Sequence, residues 1–125
     1  MSYGAARNEQ AREGIVRFGV VTAVDAGKAR ARVSFGGESE SEWLPWLAER
    51  AGTISVWAPV SGGEQVIVLS ESGETAQGVI LGSVFSEGNP GCSSSEGVFR
   101  VQVGPSFLEI SAAGIRLVGP KIDLN

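Results

Sequence analysis

Three glutamates at alternate positions, Glu38, Glu40 and Glu42, follow two arginines, Arg30 and Arg32, across a Gly36-Gly37 turn. Carboxylates at that spacing share one side of a strand, where they could hold a cation or divide a proton between them. The same pattern is a solvated charge ladder, each cross-strand pair contributing about 0.2–1 kcal/mol. Alternating glutamates on an exposed strand need no further cause, so the ladder is our reading. A three-residue loop would set Arg32 opposite Glu42 and Ser34 opposite Glu40. A two-residue loop shifts that register, and the sequence leaves both open. The chain has no histidine, which removes His-dependent triads, imidazole metal sites and the commonest general base. Cys92 is the only cysteine, in Gly91-Cys-Ser-Ser-Ser, with no second thiol to pair and no imidazole to activate it. Trp43, Trp46 and Trp57 lie within fifteen residues and could stack bases or sugars. Without a basic surplus they read better as core or subunit contact. No catalytic residue, cofactor or metal site is expected, and the chain does not read as an enzyme.

Composition points the same way. With 125 residues there is room for one ordinary domain and an appendage. Eighteen glycines and few aromatics suit short strands with many turns. The net charge of −4 argues against nucleic acid, whose backbone needs clustered Lys and Arg, and against docking on anionic lipid. No apolar run approaches 18 residues and no charged-then-apolar leader is present, so synthesis in a bacterial cytoplasm is expected.

The elements that would carry these residues are strands. Residues 1–14 are polar and Ala-rich, a short helix or a disordered segment. Residues 15–24 read as a strand long enough to bend near Gly19. Asp25 to Lys28 is a turn. From Ala29 to Phe35 the chain alternates cleanly, with Ala29, Ala31, Val33 and Phe35 on one face. After the Gly36-Gly37 turn, 38–43 is the return strand, ended by Pro45. Thr53 to Val60 should be extended. Residues 64–69 and 78–85 are two further strands around a polar turn from Glu71 to Gln77. Five main strands in about 70 residues, bent and turn-rich, suit an OB-type barrel over 15–85. Residues 86–96 (SEGNPGCSSSE) form a linker.

Residues 97–125 are different in kind. Val101-Gln-Val103, Leu108-Glu-Ile110, Ile115-Arg-Leu117 and Ile122-Asp-Leu124 recur every seven residues, aliphatic first and third, polar second. Alternation is the period of a strand with one buried face. A coiled coil would need apolar residues at the first and fourth places, and the fourth holds Gly104, Ser111, Val118 and Asn125. Gly104-Pro105 and Gly119-Pro120 would break a helix twice. Such thin units cannot bury their faces alone, and stacking is the usual answer. Several copies wound together, with Val101, Val103, Leu108, Ile110, Ile115, Leu117, Ile122 and Leu124 turned to a common axis, would supply the core.

Arg17-Phe-Gly-Val-Val-Thr-Ala-Val-Asp25, Ala31-Arg-Val-Ser-Phe35, Glu42-Trp-Leu-Pro-Trp-Leu47 and Arg50-Ala-Gly52 resemble the baseplate assembly protein V family, the central spikes of contractile phage tails. Trp57-Ala-Pro-Val60, Gly63-Glu-Gln-Val-Ile-Val-Leu-Ser70 and Gly78-Val-Ile-Leu-Gly82 continue the resemblance in the same order, over roughly residues 15–90. The repeats, and the closing Pro-Lys-Ile-Asp-Leu-Asn125, are similar to the β-helical tails of that family and of type VI secretion spikes.

The resemblance implies an all-β homotrimer: an OB-type barrel from each chain at the baseplate hub, then an intertwined β-helix, a triangular prism, as the needle. It implies a virion or tail-like particle as the location, a tail hub protein as partner, and contact with the target envelope only during injection. Many members end in an apex that holds iron through His-x-His. Without a histidine that site does not carry over, so a separate tip protein is expected to dock on Ile122, Asp123, Leu124 and Asn125. The rival reading is a binding module, an OB barrel for oligosaccharide or single-stranded nucleic acid.

Overall fold

The computed structural model describes residues 16–71 and 77–125, and the chain divides after Asn89 into two units. The reading of 1–14, and most of the Glu71–Gln77 turn, fall outside the described residues. Among the described residues the secondary structure is strands, with a 3-10 turn at Ala26–Lys28.

In the first unit, β1 (Val16–Asp25) pairs antiparallel with both β2 (Arg30–Gly36) and β5 (Gln65–Ser70). The expected bend is present, but the break in register falls between Val21 and Ala23, not at Gly19. Gly19 has a different task. A Cβ built there would lie 2.4 Å from Val33 Cγ1 and 2.8 Å from the Ser34 carbonyl, so only glycine lets β1 and β2 approach so closely. The turn is a 3-10 helix, Ala26–Lys28, capped by Asp25 Oδ1, which accepts from the Lys28 N–H at 3.3 Å. Ala29 then takes φ 54, a left-handed conformation, and does not join the buried face expected of it. Ala31 and Val33 do, with no exposed surface.

The return strand is interrupted where one continuous element was expected. It splits into β3 (Ser39–Glu40) and β4 (Leu44–Pro45), both paired with β2. Between them Ser41 is buried and tied: its N–H donates to the Val33 carbonyl at 2.8 Å, and its hydroxyl accepts from the Val33 N–H at 2.9 Å. A small side chain satisfies the backbone inward, leaving no room for a ladder there. Residues 53–60 form no strand beyond an Ala51–Ser55 bridge.

β5 pairs with β6 (Gly78–Val84), and β6 meets β4 through a parallel Trp46–Ile80 bridge and the Leu47 N–H to Ile80 carbonyl bond at 2.8 Å. The circuit β4–β2–β1–β5–β6 thus closes on itself, a five-strand barrel with the connectivity expected of an OB fold. Its core is Val21, Ala31, Val33, Leu44, Val60, Val66, Val68 and Ile80, with Val24, Phe35 and Trp46 packed against it. Residues 86–89 are bound to the barrel, not part of a linker. Ser86 and Asn89 exchange backbone hydrogen bonds, and the Asn89 side-chain amide donates to the Gly63 carbonyl at 3.1 Å.

The second unit, Pro90–Asn125, is an antiparallel meander of β7 (Val98–Val103), β8 (Ser106–Ser111) and β9 (Gly114–Val118). Gly104, at φ 56, takes the first turn position of the β7–β8 hairpin, where a two-residue loop asks for positive φ. The first three aliphatic units are strands as expected. The fourth is not: residues 121–125 form no strand among the described residues.

Candidate interaction surfaces

The meander sorts its residues by face. Register pairs Phe99 with Ile110 and Ile110 with Ile115; it pairs Val101 with Leu108 and Leu108 with Leu117. With side chains alternating along each strand, these six and Val103 share one face. That face is apolar and open: Ile115 is 72% exposed, and Phe99, Val101, Val103 and Leu117 are also more than half exposed. A groove of about 320 Å³ runs along it, lined among others by Val101, Leu108, Leu117 and Ile122. Of the residues read as facing an axis, the structure therefore brings six together on strands. Ile122 reaches the groove without a strand, and Leu124 stands free at 89% exposure.

The opposite face mixes Val98, Phe107 and Val118 with a paired set of charges. Glu109 accepts from Arg100 at 2.8 Å and lies 3.6 Å from Arg116. Both guanidiniums cover Phe107, at 3.7 and 5.3 Å from the ring centroid. Charge-assisted contacts and cation–π contact thus hold the side that faces water. The sequence signal for this was the polar second place of each repeat; the role of Phe107 was not read.

On the barrel, one of the three glutamates, Glu40, forms a cross-strand charge pair among the described residues. Glu40 pairs with Arg32 at 3.0 Å and accepts from the Thr22 hydroxyl at 2.8 Å. Ser34 does lie opposite Glu40, through a bulge at Phe35. Arg32 is not opposite Glu42: its Nε donates to the Ser41 carbonyl at 3.1 Å instead. Among the described residues no three acidic or thiol side chains converge to hold a metal ion. Cys92 is exposed.

The tryptophans do not form one platform. Trp46 and Trp57 pair at 5.7 Å with their rings tilted by 55°, which is not the parallel slot a base or sugar would enter. Trp43 meets Arg32. One polar device escaped the sequence reading. The Glu64 carboxylate accepts from the Ser61 N–H, from the Ser61 hydroxyl at 2.9 Å and from the Ser83 hydroxyl at 2.6 Å. It ties the turn before β5 to β6. The Ser61-x-x-Glu64 spacing was the available signal.

Comparison with known proteins adds to this geometry. Residues 17–85, more than half of the chain and the whole barrel circuit, match the family described as the type VI secretion system/phage-baseplate injector OB domain. The "Spike protein" of Escherichia phage P2 is 34% identical over 88 residues, covering 70% of this chain. The match spans 41% of that relative's length.

Proposed function

The chain belongs to the type VI secretion system/phage-baseplate injector OB domain family, and from that membership we propose that it is the central spike of a contractile injection device. The particle is a phage tail or a tail-like relative, and the chain sits in its baseplate. Three copies associate, their barrels against the tail hub protein and their meanders wound into a triangular β-helical prism. When the sheath shortens, the prism leads the tube through the target envelope.

The observation that carries this reading is the open apolar face of the meander. Six large side chains on one side of a thin sheet stand exposed, while the other side carries the Arg100, Glu109 and Arg116 charges over Phe107. Burying each would contribute about 1.5–3 kcal/mol. Placing that face inward makes a dry core, and pairing the open edges of β7 and β9 with neighbouring copies removes the fraying that a loaded rod must avoid. The exposed Ile122 and Leu124 are then the surface offered to a separate tip protein. The work is mechanical, and no covalent chemistry is assigned.

Labelling intact particles with an antibody against residues 97–125 tests the location. Label at the baseplate end of the tail is the expected result. Label on the head, the fibres or free protein alone would overturn it.

A further inference from the structure

The barrel closes along only part of β6, and among the described residues the outer side of the rest of that strand is unpaired. β6 ends the strand order, and on its outer side stand only the Trp46–Ile80 bridge and the Leu47 N–H to Ile80 carbonyl bond. After Leu47 the chain makes no further bridge to β6, so among the described residues Leu81 to Val84 have β5 on one side and no strand on the other. A groove of about 520 Å³ opens there, lined by Trp46, Leu47, Glu49, Val56, Leu81 and Gly82 with two alanines. Nothing lies within 4 Å of where a Gly82 Cβ would stand, so the sheet face beside this edge is open to an incoming side chain. Glu49 is the groove's one ionisable side chain, and it makes no ion pair among the described residues.

We infer that the outer edge of β6, from Leu81 to Val84, receives an extended segment of a different protein as an added strand, with an apolar side chain in the groove and a Lys or Arg at Glu49. Three observations choose this occupant. An open strand edge is satisfied by a strand, not by a helix. The groove has the volume of a small binding cleft, enough for a short extended segment and not for a domain. The unpaired Glu49 carboxylate complements a cation, whereas a second copy of this chain would bring a further net charge of −4 to it. The inference concerns the barrel alone and stands whether or not the meander trimerises.

The test uses the full chain and a synthetic nonapeptide of alternating valine and threonine with one central lysine. Controls replace the lysine by glutamate, or two alternate residues by proline. Backbone amide exchange is followed by nuclear magnetic resonance. Saturable binding is expected, with exchange at residues 81–84 slowed at least about tenfold, and with both control peptides weaker by about tenfold or more. Glu49→Lys should reverse the preference between the lysine and glutamate peptides. The inference is overturned by absence of protection at millimolar peptide, or by equal binding of the proline peptide. It is equally overturned if residues 81–84 become protected with rising protein concentration and no peptide, which would make a second copy the occupant.

Discussion

Ile115 and Arg116 are adjacent on β9 and point to opposite faces of the meander, which makes them a paired test of the face assignment. In the single chain Ile115 is open to water, so Ile115→Asp costs the isolated unit little. In an assembled prism it places three carboxylates near one axis without partners, which is expensive. The expected outcome is loss of the oligomer, or a fall of about 10 °C or more in its thermal midpoint at neutral pH. Arg116→Ser removes a 3.6 Å ion pair from an exposed side chain and should change stability by no more than about 0.5 kcal/mol. Equal effects from the two substitutions would show that the faces are assigned wrongly. Gly19→Ala addresses the barrel. The new methyl meets Val33 Cγ1 and the Ser34 carbonyl, and a loss of about 2–3 kcal/mol in urea unfolding is expected. A change within 0.5 kcal/mol would mean β1 and β2 are not so close. Polar side chains were the least legible residues. Glu64 reads as one more strand-edge acid until its three donors are seen, because the partners come from a turn and from β6, 19 residues away. Periodicity reports which face a residue takes, and not which hydrogen bonds it completes.

At the level of elements, strands of five or more residues were readable and two-residue stubs were not. Ala31 and Val33 alternate because β2 is paired along both edges, and the repeat at 101–117 alternates because the register of the meander gathers its aliphatic residues on one face. The return strand broke into β3 and β4 because Ser41 turns its hydroxyl inward to the backbone, a local competition that alternation does not reveal. Ile122 and Leu124 keep the period but have no strand to pair with in one chain, so the pattern alone could not decide their structure. The boundary between units also moved, from 86 to 90, since Asn89 reaches Gly63. Truncation after Asn89 should therefore leave a barrel with β-type circular dichroism and cooperative unfolding, while association weakens or vanishes. An unfolded product would show that the two units share a core. Removing 86–89 as well takes away the Asn89 contact and should lower the barrel's stability by about 1 kcal/mol; no change would return these residues to the linker.

The whole molecule poses one question before all others: what covers the apolar face of the meander. Family membership rests on residues 17–85; the proposed association rests on the exposed apolar face of the unit that follows, and the number three on the resemblance alone. Buried area alone does not give an affinity, but a unit of this size with large apolar side chains in water is a poor candidate for a stable monomer, which is the ground of the proposal. Sedimentation equilibrium of the full chain at micromolar concentration, with melting of the same samples followed by circular dichroism, measures this directly. The account predicts a single species of about 39 kDa, three times the 13.0 kDa chain, whose melting midpoint rises with protein concentration. A folded 13.0 kDa monomer with a concentration-independent midpoint would contradict it.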